Sequence, residues 1–259
     1  MTPSPASIHR ERVTFVNDGL TLVGYVYKPA GAGPFPAVVW NHGSEQDPKP
    51  DGEFARVAEL IVPAGFVLFA PERRGQGESQ GPYIVDVVRK ERADHGDEAG
   101  DKLLVRLMET NQLEDQLAGL KRLKEVEYVN PHQLAVMGCS YGGIQTLLAA
   151  EKGAGYKGAI AMCPGAESWE HNEVLQHRLI QAAENIDIPV LLIHPKKDAN
   201  VAPGYVLGRH FEEQHKPYGL IIFPPYGTEK EQGHCFGGLN GADHIWGPSV
   251  LQFLNHILQ

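Results

Sequence analysis

Short apolar runs that do not alternate with polar residues recur along the chain, and segments of helical length separate them. A strand with apolar side chains on both faces is typical of a parallel sheet that helices cover above and below. The pattern therefore predicts a buried, mostly parallel sheet. The six runs are 37–40, 66–70, 134–137, 159–163, 190–193 and 220–223.

Helical periodicity lies between these runs. Leu113, Leu117 and Leu120 fall at i, i+4 and i+7 and form one apolar stripe of a helix predicted over 113–126. Strands that alternate with helices predict an α/β fold with helices on both faces of the sheet. The other helix candidates are 53–62, 142–152, 204–214 and 248–258.

The N-terminal segment departs from this alternation. Residues 11–29 contain two β-rich runs around Asn17-Asp18-Gly19, and Asp-Gly is a strong hairpin signal because glycine adopts positive φ without strain. We therefore expect antiparallel strands at the start of the sheet. No linker, repeat or low-complexity tract divides the chain, which predicts a single domain over 1–259.

A second departure is the extra length at 82–112, between the run at 66–70 and the helix at 113–126. The middle of this segment, 89–102, is densely charged with both signs. Such a composition favours a small helical insertion, a pair of helices on the solvated surface. The alternative is a partial lid beside the active site.

The charge balance of the chain limits its partners. The 259 residues carry 23 basic and 32 acidic side chains, a net charge of −9. Nucleic acid and anionic membranes both require a basic face, so neither is expected as a partner. A small-molecule substrate is expected instead, and a homodimer stays open.

The compartment is predicted from apolar runs and cysteines. Runs of four or five apolar residues are far shorter than the roughly 20 residues that cross a bilayer. Residues 1–13 lack the apolar core of a secretory signal. Cys139, Cys163 and Cys235 are an odd and sparse set, which favours reduced thiols over a disulfide framework. These features predict a cytoplasmic protein.

Residues 136–143, VMGCSYGG, place two nucleophilic side chains next to each other, Cys139 and Ser140. A sharp turn from a strand into a helix crowds the residues two before and two after its centre, so both must be small. Around Ser140 these residues are Gly138 and Gly142, whereas a turn centred on Cys139 would crowd a methionine against a tyrosine. Ser140 is therefore the predicted nucleophile and Cys139 a buried bystander.

A serine nucleophile needs a base and a group that orients the base. In this architecture the acid follows a late strand and the base follows the last one. Asp198 follows the run at 190–193 and is the expected acid, and His194 at the end of that run is a candidate to face the site. His234 in the glycine-rich GHCFGG stretch is the expected base, with His244 at the start of the last helix as the alternative.

The reaction also needs donors for a developing oxyanion. One is expected to be the backbone N–H of Tyr141, because a helix begins directly after the nucleophile. The other is expected from the loop after the run at 37–40, as the N–H of Gly43 or Ser44. The glycine allows the backbone to approach a substrate closely.

Further polar residues follow the strands. His42, Arg73 and Arg74 are candidate substrate contacts at the pocket rim, where the arginines would favour an acidic substrate group. The stretch at 73–81 is a near-match to the dinucleotide fingerprint, but its third glycine is absent and no helix follows directly, so no cofactor is expected. No set of histidines and cysteines has a recognised metal-ligand spacing, so no metal is expected.

These stretches together resemble the α/β-hydrolase superfamily, in particular its dienelactone-hydrolase-like and prolyl-oligopeptidase-like serine esterases. The resemblance implies the α/β-hydrolase fold, with Ser140 as nucleophile, Asp198 as acid, His234 as base, and Tyr141 with the loop at 42–44 as oxyanion hole. Dienelactone hydrolases carry cysteine at the nucleophile position, so the serine here favours a general carboxylesterase. The matching stretches are 41–45, 71–79, 138–143, 194–201, 233–236 and 246–254.

The expected function is hydrolysis of carboxylic esters of small to medium soluble substrates through an acyl-enzyme. A peptidase or amidase with the same triad is one alternative, although peptidases of this resemblance usually carry an extra N-terminal domain. A receptor that binds a ligand without catalysis on the same fold is the other alternative.

Overall fold

The computed structural model describes residues 8–228, 233–239 and 241–258. Residues 1–7 lie outside the described residues. They are part of the stretch on which the prediction of no secretory signal depends. Within the described part of the chain, no helix combines the length and the apolar character that a membrane span requires.

One eight-stranded sheet organises the described chain, in the order β1-β2-β4-β3-β5-β6-β7-β8. The first two strands and β2 with β4 pair antiparallel, and all later pairs are parallel. The predicted mostly parallel sheet with an antiparallel start is confirmed. The strands are β1 His9–Asn17, β2 Leu20–Lys28, β3 Phe35–Asn41, β4 Val67–Pro71, β5 Val129–Cys139, β6 Tyr156–Met162, β7 Val190–Pro195 and β8 Tyr218–Phe223.

The hairpin between β1 and β2 forms at the predicted turn. Asp18 and Gly19 have φ of 51° and 74°, and Asn17 pairs with Leu20 across them. Positive φ at both central residues is the requirement of the two-residue turn whose twist matches that of the strands. The hairpin thereby extends the sheet beyond β4.

Helices cover both faces of the sheet, as predicted. The helix α3 runs through a wider π-helical turn, Met108–Gln112, directly into α4, and a similar turn, Pro50–Phe54, precedes α1. The last helix begins five residues before the predicted start at 248, and α6 had not been predicted. The helices are α1 Ala55–Ile61, α2 Ile84–His95, α3 Asp97–Leu107, α4 Leu113–Lys124, α5 Tyr141–Glu151, α6 Glu173–Asn185, α7 Ala202–Glu213, α8 Cys235–Leu239 and α9 Asp243–Leu258.

The core consists of two apolar layers, one on each face of the sheet. Side chains alternate along β3, so that Ala37 and Val39 join one layer while Val38 and Trp40 join the other. The first layer packs against the helices from α2 to α7, and the second packs against α1, α8 and α9. The segment at 82–112 forms the predicted pair of helices, α2 and α3.

Candidate active site

Ser140 lies in a tight turn between β5 and α5, with φ 57° and ψ −119°. A Cβ added to Gly138 would lie 2.5 Å from the carbonyl oxygen of Gly142 and 2.6 Å from that of Asn41. A Cβ added to Gly142 would come closer still to the Asn41 oxygen. The turn therefore requires glycine at both positions, which is the steric reason for a centre at Ser140.

The structure brings Ser140, His234 and Asp198 together from three separate segments. Ser140 Oγ lies 2.9 Å from His234 Nε2, and His234 Nδ1 lies 2.6 Å from Asp198 Oδ1. A carboxylate only accepts hydrogen bonds, so the Nδ1–H donates to Asp198 and Nε2 accepts from the serine hydroxyl. This orientation allows the imidazole to take a proton from Ser140.

Asp198 accepts hydrogen bonds at both carboxylate oxygens. Oδ1 also accepts from the N–H of Ala199 at 2.8 Å, and Oδ2 lies 2.7 Å from Nδ1 of the buried His194. Burial alone would raise the pKa of Asp198, but the hydrogen bonds from His194 and His234 outweigh it and lower the pKa to about 2. Asp198 is therefore an anion at neutral pH.

The pKa of His234 has opposing causes. Burial lowers it, but the hydrogen bond and charge of Asp198, together with the charge of Glu167, raise it overall above the ordinary value. Glu167 Oε2 lies 3.7 Å from His234 Nε2. The alternative base, His244, is exposed in the first turn of α9, so the structure places His234 and not His244 beside Ser140.

A cavity of about 230 Å³ opens beside Ser140. Its wall includes acidic residues, of which Glu53 is half-buried and accepts a hydrogen bond from the indole N–H of Trp40 at 2.7 Å. Burial and the nearby Glu45 raise the pKa of Glu53 to about 8. The lining residues are Gly43, Ser44, Glu45, Glu53, Cys139, Ser140, Glu167, His234, Cys235 and Leu239.

The residues expected to supply the oxyanion donors lie next to Ser140 or line the same cavity. Tyr141 is the first residue of α5, so its N–H has no carbonyl partner within the helix. Gly43 and Ser44 line the cavity from the end of β3. The role of these backbone N–H groups as donors to a tetrahedral intermediate stays a prediction.

His42, Arg73 and Arg74 do not lie at the pocket rim, and their prediction as substrate contacts was wrong. None of them lines the cavity. His42 and Arg73 are 0% and 1% exposed, and Arg73 donates to backbone carbonyls of His42 and Gly43. Arg74 forms a two-bond ion pair with the buried Asp115, through Nε at 2.9 Å and Nη2 at 2.8 Å. Both arginines are buried because they satisfy buried acceptors.

The prediction of three reduced cysteines was also wrong. Cys139 and Cys235 form a disulfide, and Cys163 is a buried free thiol. The disulfide joins the residue before Ser140 to the residue after His234, so Cys139 is not a bystander. The fold brings these cysteines together across 96 residues. The cytoplasmic location stays a prediction, without the support that reduced thiols gave it.

Two clusters of described residues have the composition of metal ligands. Cys139, Cys163 and Cys235 form one, and Cys163, His194 and Asp198 form the other. The disulfide removes two thiolates from the first cluster. In the second, Asp198 already accepts from two histidines, and burial raises the pKa of the Cys163 thiol well above its ordinary value. Hydrogen bonding thus accounts for the second cluster.

His194 is the site residue whose role the sequence left open. Its side chain is fully buried, and its Nε2 has no hydrogen-bond partner among the described residues. The sequence signal was its spacing of four residues before Asp198, which a turn after β7 converts into contact.

Comparisons with known proteins agree with this fold. Residues 96–171 match the model of the prolyl oligopeptidase family. The uncharacterized peptidase YtmA of Bacillus subtilis is 23% identical over 244 residues, which cover 83% of this chain and 84% of that relative.

Solved structures of an esterase and of a peptidase are similar to the chain. The Pyrococcus furiosus esterase Pf2001 superposes with a TM-score of 0.71 at 16% identity, over 98% of this chain and 93% of the esterase. The acylaminoacyl peptidase of Pyrococcus horikoshii gives 0.68 at 16% identity, over 98% of this chain but 42% of the peptidase, so the chain spans less than half of that protein. The chain therefore has the α/β-hydrolase fold, and it is similar to serine hydrolases of the prolyl oligopeptidase family.

Proposed function

We propose that the protein is a serine esterase that hydrolyses carboxylic esters of small to medium soluble substrates. The observation that carries the proposal is the hydrogen-bonded series from Ser140 through His234 to Asp198, which opens on a cavity. Nucleophile, base and orienting acid in this order are the requirements of acyl transfer through serine.

In the proposed reaction, Ser140 Oγ attacks the ester carbonyl carbon while His234 Nε2 takes the hydroxyl proton. The negative charge that develops on the carbonyl oxygen is accepted by backbone N–H groups of Tyr141 and of Gly43 or Ser44. The bond to the alkoxy oxygen then breaks, and His234 returns its proton to the departing alcohol.

Water completes the cycle in the second half of the reaction. His234 takes a proton from the water as its oxygen attacks the acyl carbon, and the carboxylic acid leaves as Ser140 Oγ recovers the proton. Asp198 remains an anion and stabilises the charged imidazole through the Nδ1–H bond. No external oxidant, reductant or co-substrate other than water is needed.

The size of the cavity and the similar structures support the proposed substrate class. A cavity of about 230 Å³ is below the roughly 300–1,000 Å³ of sites for drug-sized ligands, which favours short acyl groups. Similarity to the Pyrococcus furiosus esterase over 98% of the chain supports an ester substrate.

A peptidase with the same triad is the second candidate. The family match over 96–171 and the similar acylaminoacyl peptidase favour it. The two candidates differ in the leaving group, an alcohol or an amine. A comparison of kcat/KM for p-nitrophenyl acetate with that for an acetyl-amino-acid p-nitroanilide separates them, because only a peptidase prefers the anilide.

The decisive test is Ser140→Ala, with Ser249→Ala in α9 as a matched control. We expect the first variant to lose hydrolysis of p-nitrophenyl acetate and labelling by a fluorophosphonate probe, and the second to keep both. Full activity in Ser140→Ala would disprove the nucleophile. A wild-type protein that neither hydrolyses the ester nor reacts with the probe would be the non-catalytic receptor.

A further inference from the structure

The loop after β3, residues 42–46, has an unusual set of backbone bonds, and we name it the oxyanion loop. Arg73 Nη2 donates to the carbonyl oxygens of His42 at 3.0 Å and of Gly43 at 2.7 Å. The phenol O–H of Tyr83 donates to the carbonyl oxygen of Ser44 at 2.6 Å. The first three carbonyls of the loop thus all accept from side chains that follow β4.

The last two carbonyls of the oxyanion loop are bonded in the same way. Gln76 Nε2 donates to the carbonyl oxygen of Glu45 at 2.8 Å, and the backbone N–H of Gly77 donates to that of Gln46 at 2.8 Å. All five carbonyls of the loop therefore accept from the segment 73–83. Because every carbonyl of the loop has a donor, these bonds constrain the orientation of each peptide unit.

Arg73 differs from an ordinary buried arginine. Within the described part of the chain it has no carboxylate at ion-pair distance, and its Nη1 has no hydrogen-bond partner. Its Nε donates to Gln76 Oε1 at 3.1 Å, and its guanidinium lies 4.8 Å from the ring centre of Tyr141. Burial of a charge without a counter-ion is costly, so the bonds to the oxyanion loop are its main compensation.

Peptide geometry connects these bonds to the cavity. The carbonyl of Gly43 and the N–H of Ser44 belong to one trans peptide unit and point in opposite directions. The same holds for the carbonyl of His42 and the N–H of Gly43. Arg73 therefore holds, at their carbonyl ends, the two peptide units whose N–H ends are the candidate oxyanion donors.

We propose that Arg73 is a positioning residue that holds the oxyanion loop so that the N–H groups of Gly43 and Ser44 face the carbonyl oxygen of a substrate. The inference rests on the proposed function. The charged donor also polarises both peptide groups and strengthens their N–H ends as donors. Preorganised donors stabilise the transition state more than the bound substrate, so the effect lies in kcat.

Arg74 provides the matched control. It is the next residue, it is also buried, and it bonds to Asp115 and not to the oxyanion loop. Arg74→Lys keeps the charge beside that buried carboxylate. Arg73→Met removes both loop bonds and leaves no carboxylate without its counter-ion, so the variant is expected to fold. Arg73→Lys keeps the charge but offers a smaller ammonium with shorter reach.

The first readout is kinetic. For Arg73→Met we expect kcat for p-nitrophenyl acetate to fall about 10²-fold, the loss typical of one oxyanion donor, with KM nearly unchanged. The inhibition constant of an aryl trifluoromethyl ketone, which adds to the serine as an oxyanion, should rise by the same factor. Arg73→Lys should lie between Arg73→Met and wild type, and Arg74→Lys should match wild type.

The second readout does not need activity. Hydrogen–deuterium exchange of a peptide that covers 42–46 should be faster in Arg73→Met than in wild type, and unchanged in Arg74→Lys. The proposal would be overturned if hydrogen–deuterium exchange were unchanged in Arg73→Met, or if kcat fell equally in Arg73→Met and Arg74→Lys. If the wild type does not hydrolyse esters, the proposed function fails, while the exchange experiment still decides whether Arg73 holds the loop.

Discussion

Loss of the disulfide between Cys139 and Cys235 is expected to lower the free energy of unfolding substantially. The perturbation is Cys139→Ala, or reduction of the wild-type protein. The bond constrains the unfolded chain because it closes a loop whose ends are 96 residues apart. In the chain-entropy model a loop of about 100 residues contributes about 4.7 kcal/mol. Typical domains have a total stability of about 5–15 kcal/mol, so the loss is a large fraction.

Urea denaturation followed by circular dichroism measures the effect. We expect the midpoint of unfolding to shift to lower urea when a reductant is added to the wild-type protein. Cys139→Ala should unfold at the same lower urea concentration with or without the reductant. A thiol titration in urea without reductant should find one reactive thiol, Cys163, and three after reduction.

Two results would refute this reasoning. Three reactive thiols in the unreduced protein would show that the disulfide does not form. If the unreduced protein has a single reactive thiol but its urea midpoint is the same with and without the reductant, the closed loop contributes nothing to stability.

Other perturbations test the site itself. Hydrolysis needs the neutral ring of His234, and since its pKa is raised above 6.5, kcat/KM should rise with pH through a midpoint above 6.5. Removal of a nearby negative charge in Glu167→Gln should move that midpoint to lower pH in a pH–rate profile. Gly142→Ala places a Cβ against a backbone oxygen in the turn at Ser140, so fluorophosphonate labelling should be lost. Thermal denaturation should show a free energy of unfolding that is lower by about 1–3 kcal/mol. Asp198→Asn should lower kcat about 10⁴-fold in steady-state kinetics, because the amide favours the wrong imidazole tautomer.

The centre of the sheet could be predicted from the sequence because strands such as β3, β4 and β7 are buried on both faces. Apolar runs such as 134–137 have no helical period, and the short turns between elements contain glycine. The nucleophile turn was predictable because its small residues, Gly138 and Gly142, lie within two positions of Ser140, although the backbone of Asn41 that also crowds them comes from a distant segment. Helix α6 also had a detectable signal, because the buried Leu175, Leu179 and Ala182 follow helical spacing.

The burial of polar side chains could not be predicted in this way. The positive charge of Arg73 suggests exposure, and only the folded loop at 42–46 provides the carbonyls that make its burial possible. The pairing of Cys139 with Cys235 likewise depends on contacts between segments far apart along the chain. The spacing of residues along a single sequence does not show which distant segments come into contact in the fold.

The double engagement of Asp198 has a consequence for the motion of the imidazole. If the carboxylate bonded to His234 alone, rotation of its oxygens would let the ring flip into an idle conformer. Here that rotation would also break the hydrogen bond from the buried His194 to Asp198 Oδ2. The Nδ1–H of His194 would then be buried without an acceptor, which costs free energy. A second donor thus restrains the carboxylate that orients His234, and this restraint favours the imidazole conformer that faces Ser140.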